Sequence, residues 1–335
     1  MGVDVEDLKL IADKLSSDFE FYKGKSIFVT GGTGFFGKWL LEAFIHLNQN
    51  HGLNSSITIL SRSPSKFKDS FPHLYNHNYF NFVQGDVRDF PDIAQDFDLI
   101  IHAAADASSE VYRSNPELMR STIMDGTKNV CEFAEKVNCK RILYTSSGAA
   151  YGPQPDSLAH MAETFVDNPL FNQNDAYASA KLESETYFKD NAICEVVVAR
   201  CFAFTGPYLT LDGGYAFGNF ISNVMNKESI LIKSSGESTR SYLYSADLVV
   251  WLLRILSKGK NRDMYNVGSD EKLTILELAE RISLGKVGIL SDGVKGLNVS
   301  KYIPSIEKSK KELSLDVYTS LKDSIEKTID FYRKN

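Results

Sequence analysis

Six short runs in this chain are apolar on both faces and are separated by stretches of helical periodicity, and that alternation narrows the folds open to it. The runs are SIFVT (26–30), SITIL (56–60), YFNFV (79–83), DLIIHAA (98–104), RILYTSS (141–147) and EVVVARCFAF (195–204). A strand with no polar face belongs inside a parallel sheet covered by helices on both sides. Stretches such as GKWLLEAFIHL (37–47) and residues 116–137 supply those helices. The expected fold class is therefore α/β, a doubly wound parallel sheet of the Rossmann type. At 335 residues and 43% hydrophobic content, the chain can fill such a core and still build a smaller lobe.

FVTGGTGFFGKWLLEAF (28–44) places Gly31, Gly34 and Gly37 between the first strand and the first covering helix. Gly31 suits a tight turn free of Cβ clashes. Bare backbone there lets a pyrophosphate approach the amides at the positive end of a helix. Gly37 allows close packing behind the loop. Phe35 and Phe36 complete the loop as candidate cofactor contacts. The second strand ends in ILSRS, with Ser61 and Arg62 where a carboxylate would grip a free ribose 2′-hydroxyl. An arginine suits a 2′-phosphate, so NADP(H) is favoured and NAD(H) remains possible. Asp86, with Val87 beside it, closes the third strand, where a carboxylate can accept from the adenine amino group.

The expected division is a helical extension over 1–24, a dinucleotide-binding domain over 25–204, and a mainly substrate-binding lobe over 205–335. Part of 240–268 is expected to return to the main domain. In the extension, Leu8, Ile11, Ala12 and Leu15 recur at helical spacing, so the segment reads as an amphipathic helix docked on the body. Stretches 246–256 and 274–282 read as helices of the later part.

Net charge is −6, from 37 basic and 43 acidic residues, which gives no global field for nucleic acid. No stretch approaches the roughly 20 apolar residues of a membrane span, and no basic-then-apolar leader opens the chain. The four cysteines form no C-x-x-C pair and lack zinc-site spacing. They read as free thiols, and the expected location is cytoplasmic.

SSGAAYG (146–152) follows the fifth strand, and DAYASAKLESE (175–185) opens a helix. Tyr177 and Lys181 are four apart and share one helix face. A phenol has an ordinary pKa near 10 and needs help to act as a base. A neighbouring ammonium is expected to lower that pKa. The pair could then exchange a proton with an alcohol while hydride moves to or from nicotinamide. A strand-end serine could hold the same oxygen.

Together with GDVRD, HAAA (102–105), RCFAFTGP (200–207), STRSYLYSADL (238–248) and YNVGS (265–269), these motifs resemble the extended short-chain dehydrogenase/reductase family over roughly residues 26–270. That branch holds NAD-dependent nucleotide-sugar epimerases, dehydratases and ketoreductases. The resemblance implies Tyr177 as acid/base, Lys181 on the nicotinamide ribose, and Ser147 on the reacting hydroxyl. It implies Ala103, Ala104, Ala105 and Cys201 along the cofactor, Arg240 on the substrate diphosphate, and a homodimer built from two long helices.

The departures from the family pattern are informative. Family dehydratases carry Asp-Glu after the catalytic hydroxyl residue, and the decarboxylases keep a Glu. Gly148 and Ala149 stand there in this chain and supply neither acid nor base. Ala203 replaces the usual Asn, for which Asn219 is a candidate substitute. Ile123 replaces another Asn. His102 reads as structural, and His160 as a loop residue that either touches substrate or is simply solvated. The expectation is a nucleotide-sugar 4-epimerase or 4-ketoreductase. The alternatives are a dehydratase or decarboxylase with relocated acid/base groups, or a non-catalytic NAD(P)-binding sensor.

Overall fold

The structure, a computed structural model, describes residues 2–105, 114–212 and 214–334. Seven parallel strands form the main sheet: β1 (Ser26–Thr30), β2 (Ser56–Ser61), β3 (Phe80–Gln84), β4 (Leu99–His102), β5 (Arg141–Ser147), β6 (Glu195–Cys201) and β7 (Met264–Val267). Their order is 3-2-1-4-5-6-7. Register aligns apolar residues in rows, as with Ile57, Ile27 and Leu99. The helices that position the site are α1 (Val5–Leu15), α2 (Phe35–His51), α3 (Pro116–Lys136), α4 (Ala176–Asn191), α5 (Ala216–Asn226), α6 (Ser245–Lys258), α7 (Ile275–Ser283) and α8 (Leu321–Lys334).

Two features differ from the expected strands. The run 195–204 leaves the main sheet after Cys201, and Phe204–Thr205 pair instead with Leu243–Tyr244. The ladder changes hands there, because Phe202 N still donates to Val267 while Leu243 N donates to Ala203. The seventh strand was not foreseen. MYNV is only four residues long and its last apolar position is followed at once by Gly268.

α1 is capped by Asp4, whose side chain accepts from Glu6 N. Its Ile11, Ala12 and Leu15 are buried in the core that also holds α2 and α6. Asp7 goes below the surface with them and accepts from Tyr244 Oη at 2.7 Å and Lys327 Nζ at 2.5 Å. The extension is therefore stitched to Tyr244, the residue that opens α6, and to α8 by polar as well as apolar contacts. Helices α5, α7 and α8 enclose a separate apolar cluster around Phe217, Ile221, Leu278 and Ile325. α3 and α4 lie side by side. Among the described residues no helix is long and apolar enough to cross a membrane.

Candidate active site

The C-terminal ends of the strands open on a cavity of about 1030 Å³. This is where an open parallel sheet leaves a crevice between its diverging loops. Gly31, Gly34, Phe35 and Phe36 form its floor beside β1. Gly31 has φ +73°, and a Cβ there would lie 2.4 Å from the Ala103 carbonyl oxygen, so no other residue fits without moving the backbone. Gly37 does not line the cavity. A Cβ on it would lie 2.2 Å from the Gly32 carbonyl carbon, so its role is to let α2 start against the loop. The N-cap of α2 is Gly34, with no side-chain cap and no acid in the first turn. Those amides suit an incoming diphosphate.

Ser61, Arg62, Asp86 and Val87 line one end, and Ala103, Ala104 and Ala105 line the middle. Asp86 is gripped by Arg88 through Nε at 2.8 Å and Nη2 at 3.0 Å. That pair, with Arg62 nearby, holds the Asp86 carboxyl below its usual range. The bare glycine turn, the uncapped helix start and the long crevice fit a dinucleotide. When bound, the nicotinamide group supplies the hydride acceptor or donor.

Ser147, Tyr177, Lys181, Cys201 and Arg240 come together at the other end. Asp175 caps α4 by accepting from the Tyr177 and Ala178 amides, which fixes Tyr177 in the first turn. Ser147 Oγ accepts from the Ala149 amide at 3.1 Å and lies 3.3 Å from Tyr302 Oη. Lys181 is buried, and its Nζ donates to the Thr145 carbonyl at 2.8 Å. Burial pushes Lys181 down to about 8, with Cys201 and Glu185 opposing.

The expected lowering of the Tyr177 pKa by Lys181 is not what this site shows. Burial pushes the phenol up, and the partial relief comes from Ser147. Lys181 Nζ lies 5.9 Å from the Tyr177 ring centroid and is engaged by Thr145. Tyr177 therefore rests protonated at neutral pH. Burial pushes the Cys201 thiol up to about 12, which makes it wall rather than nucleophile.

Among the described residues Arg240 donates only to neutral oxygens, Thr239 O at 2.8 Å and Ser300 O and Oγ at 3.0 and 2.9 Å, so its charge is available to an anion. Asn219 is on α5 but outside the cavity wall. His102 is buried against Thr30 Oγ1 at 2.7 Å, and burial holds it near 3, hence neutral. His160 Nε2 lies 3.1 Å from the Asp270 carbonyl, also off the wall. Sequence reasoning missed Tyr215, Tyr242 and Tyr302, which all line the cavity. Tyr302 lies 155 positions from Ser147, and no local pattern marks it.

A glycine-turn crevice beside a strand-end serine, tyrosine and lysine defines a dinucleotide-dependent enzyme of the short-chain dehydrogenase/reductase kind. Residues 27–268 match the NAD dependent epimerase/dehydratase family, and the chain belongs to that family. UDP-glucuronic acid decarboxylase 1 of Arabidopsis thaliana is 29% identical over 92% of this chain and 69% of its own length. UDP-glucuronic acid decarboxylase 6 of the same plant is 30% identical over 78% of this chain and 74% of its own. Among solved structures, UDP-glucose 4-epimerase of Thermotoga maritima superposes with a TM-score of 0.77 at 22% identity, covering 92% of this chain and 99% of its own. UDP-glucuronic acid 4-epimerase of Bacillus cereus, in complex with UDP-glucuronic acid and NAD, gives 0.77 at 21% identity, with the same two coverages. At that identity the structural likeness speaks for the fold.

Proposed function

We infer that the protein moves hydride at C4 of a nucleotide-linked sugar, as a 4-epimerase or 4-ketoreductase, with Tyr177 as acid/base. The carrying observation is that Ser147, Tyr177 and Lys181 line one cavity with the glycine turn, while the neighbouring position, Gly148, is closed to an acid. A Cβ on Gly148 would lie 2.7 Å from the Phe202 ring and 2.8 Å from Tyr302 Oη. A glutamate there would need the aromatic wall to move.

The second reading is decarboxylation of a UDP-linked uronic acid, favoured by the sequence relatives. It would require the acid/base groups to be relocated. The test is incubation with UDP-glucose and UDP-glucuronic acid plus NAD, and with 4-keto sugar nucleotides plus NADPH, followed by chromatography and mass spectrometry. Epimerisation gives a new peak of unchanged mass, and reduction adds two hydrogens. Loss of carbon dioxide or of water overturns the first reading.

NADP(H) is the proposed cofactor form, because Ser61 and Arg62 line the ribose end where a carboxylate would repel a 2′-phosphate. Arg62→Ala is expected to weaken NADP binding by roughly tenfold to a hundredfold, the worth of one charge-assisted hydrogen bond, and to leave NAD binding nearly unchanged. Fluorescence titration with each dinucleotide measures it. Equal weakening of both would remove the basis for the NADP preference.

A further inference from the structure

Arg240 stands in the middle strand of a small three-stranded sheet, between Leu273–Thr274 and Lys301–Tyr302. Its guanidinium is a rigid fork of five N–H donors. Among the described residues, neutral oxygens take three of them. Nη1 donates to Thr239 O at 2.8 Å and to Ser300 O at 3.0 Å, and Nη2 donates to Ser300 Oγ at 2.9 Å. The Nε proton and the second Nη2 proton are left. They share one edge of the fork, and that edge matches two oxygens of a single anion.

The protein uses the same edge twice elsewhere. Arg88 holds Asp86 through Nε at 2.8 Å and Nη2 at 3.0 Å. Arg200 holds Glu185 through Nε at 2.9 Å and Nη2 at 2.6 Å. In both pairs the chain supplies its own carboxylate. At Arg240 no carboxylate among the described residues fills that place. Arg240 is nevertheless half-buried on the cavity wall, where burial works against its charge. A half-buried fork with its paired edge unfilled suits an oxyanion brought in from outside.

Ser300 sets the direction of that edge. Its carbonyl and hydroxyl together occupy the end of the fork, which fixes the rotation of the guanidinium. Ser300 is itself held. Its amide donates to Ser238 Oγ at 3.1 Å, and its carbonyl accepts from Thr239 N at 2.8 Å. Lys301, the next residue, pairs with Thr239. Ser300 lies 60 positions from Arg240, so no local pattern in the sequence links the two.

We propose that Ser300 is a positioning residue, which clamps the end of the Arg240 guanidinium so that the Nε–Nη2 edge is presented to the diphosphate of a sugar nucleotide. The identity of that anion rests on the sugar-nucleotide reading above.

Calorimetry on the full chain tests it. Saturating dinucleotide is added first, so that the glycine turn is occupied, and UDP, dTDP, GDP and CDP are then titrated in turn. The nucleoside diphosphate that the wild type binds most tightly is carried through the variants. Ser300→Ala is expected to weaken its binding by about tenfold, the worth of one hydrogen bond to a charged group. Ser300→Thr keeps the hydroxyl and is expected to stay within about twofold of wild type. Arg240→Lys keeps the charge but loses the fork, and is expected to weaken binding by about a hundredfold. Adding Ser300→Ala to Arg240→Lys is expected to cost less than about twofold more, because the serine acts through the guanidinium. With a sugar nucleotide that the enzyme turns over, Ser300→Ala is expected to raise KM and to leave kcat within about twofold, since the diphosphate is held alike before and during the reaction. Unchanged binding by Ser300→Ala overturns the proposal. Tighter binding also overturns it, since the serine would then compete with the anion. Equal losses from Ser300→Ala with and without the Arg240 fork do the same, as does a wild type that binds none of the four diphosphates. A wild type that binds a nucleoside diphosphate but turns over no sugar nucleotide counts against the functional reading alone, and the binding series still decides the role of Ser300.

Discussion

Tyr177→Phe is expected to lower kcat by about 10²- to 10⁴-fold, the usual worth of a positioned proton donor, while dinucleotide affinity changes little. The substitution removes one oxygen and keeps the ring. The ring is half-buried against Met119, Ile123 and Ala180, so the packing of α4 on α3 is retained. What is lost is the phenol oxygen on the cavity wall that Ser147 also lines. Because burial raises the pKa of this phenol, it is protonated throughout the neutral range. An alkaline buffer therefore gives the variant no route back, since hydroxide in bulk water cannot replace a donor held at the reacting oxygen. Steady-state kinetics with a cofactor titration on the same sample measure both quantities. A Tyr177→Phe protein with wild-type kcat would leave only a folded dinucleotide holder and would favour the sensor reading.

The parts of the site that were legible in the sequence are those in which one residue type is the only physical solution. Gly31 was readable because a left-handed turn under the Ala103 carbonyl tolerates no side chain. Tyr177 and Lys181 were readable because four positions on a helix is one turn, and the strand-end serine falls within reach of that turn. The strands were readable where both faces are buried, as in β5, whose seven residues are all enclosed.

What stayed hidden depends on distance along the chain. Tyr302 meets Ser147 only because Lys301–Tyr302 folds back beside Thr239–Arg240. The four-residue β7 is defined by its partner β6 rather than by its own pattern. The electrostatics were hidden for the same reason. Lys181 is four residues from Tyr177, which suggested a direct pull on the phenol. The Thr145 carbonyl, supplied by β5, engages the ammonium instead. Burial, a property of the whole fold, then outweighs the local charge.

Glu185→Ala is expected to destabilise the protein by roughly 3–5 kcal/mol, the cost of leaving a buried charge without its partner. Glu185 is on α4, one turn beyond Lys181 and two beyond Tyr177, and only 2% exposed. It accepts from Arg200 Nε at 2.9 Å and Nη2 at 2.6 Å, and from the Ser146 hydroxyl. Arg200 is on β6 and Ser146 on β5, immediately before Ser147. One carboxylate thus ties the helix that carries Tyr177 to the strand that carries Ser147. The Arg200 guanidinium also lies 4.1 Å over the Tyr151 ring, and Tyr151 Oη donates to Asn266 at 2.9 Å on β7. Loss of Glu185 leaves Arg200 at 5% exposure with no carboxylate, which denaturant unfolding monitored by far-UV circular dichroism would register. Replacing both partners with methionine removes the orphaned charge and is expected to recover most of that stability. Activity should not recover with it, because Ser146 is then untied from α4 and Ser147 loses its fixed approach to Tyr177. A double-methionine variant as active as wild type would show that the ion pair serves stability alone.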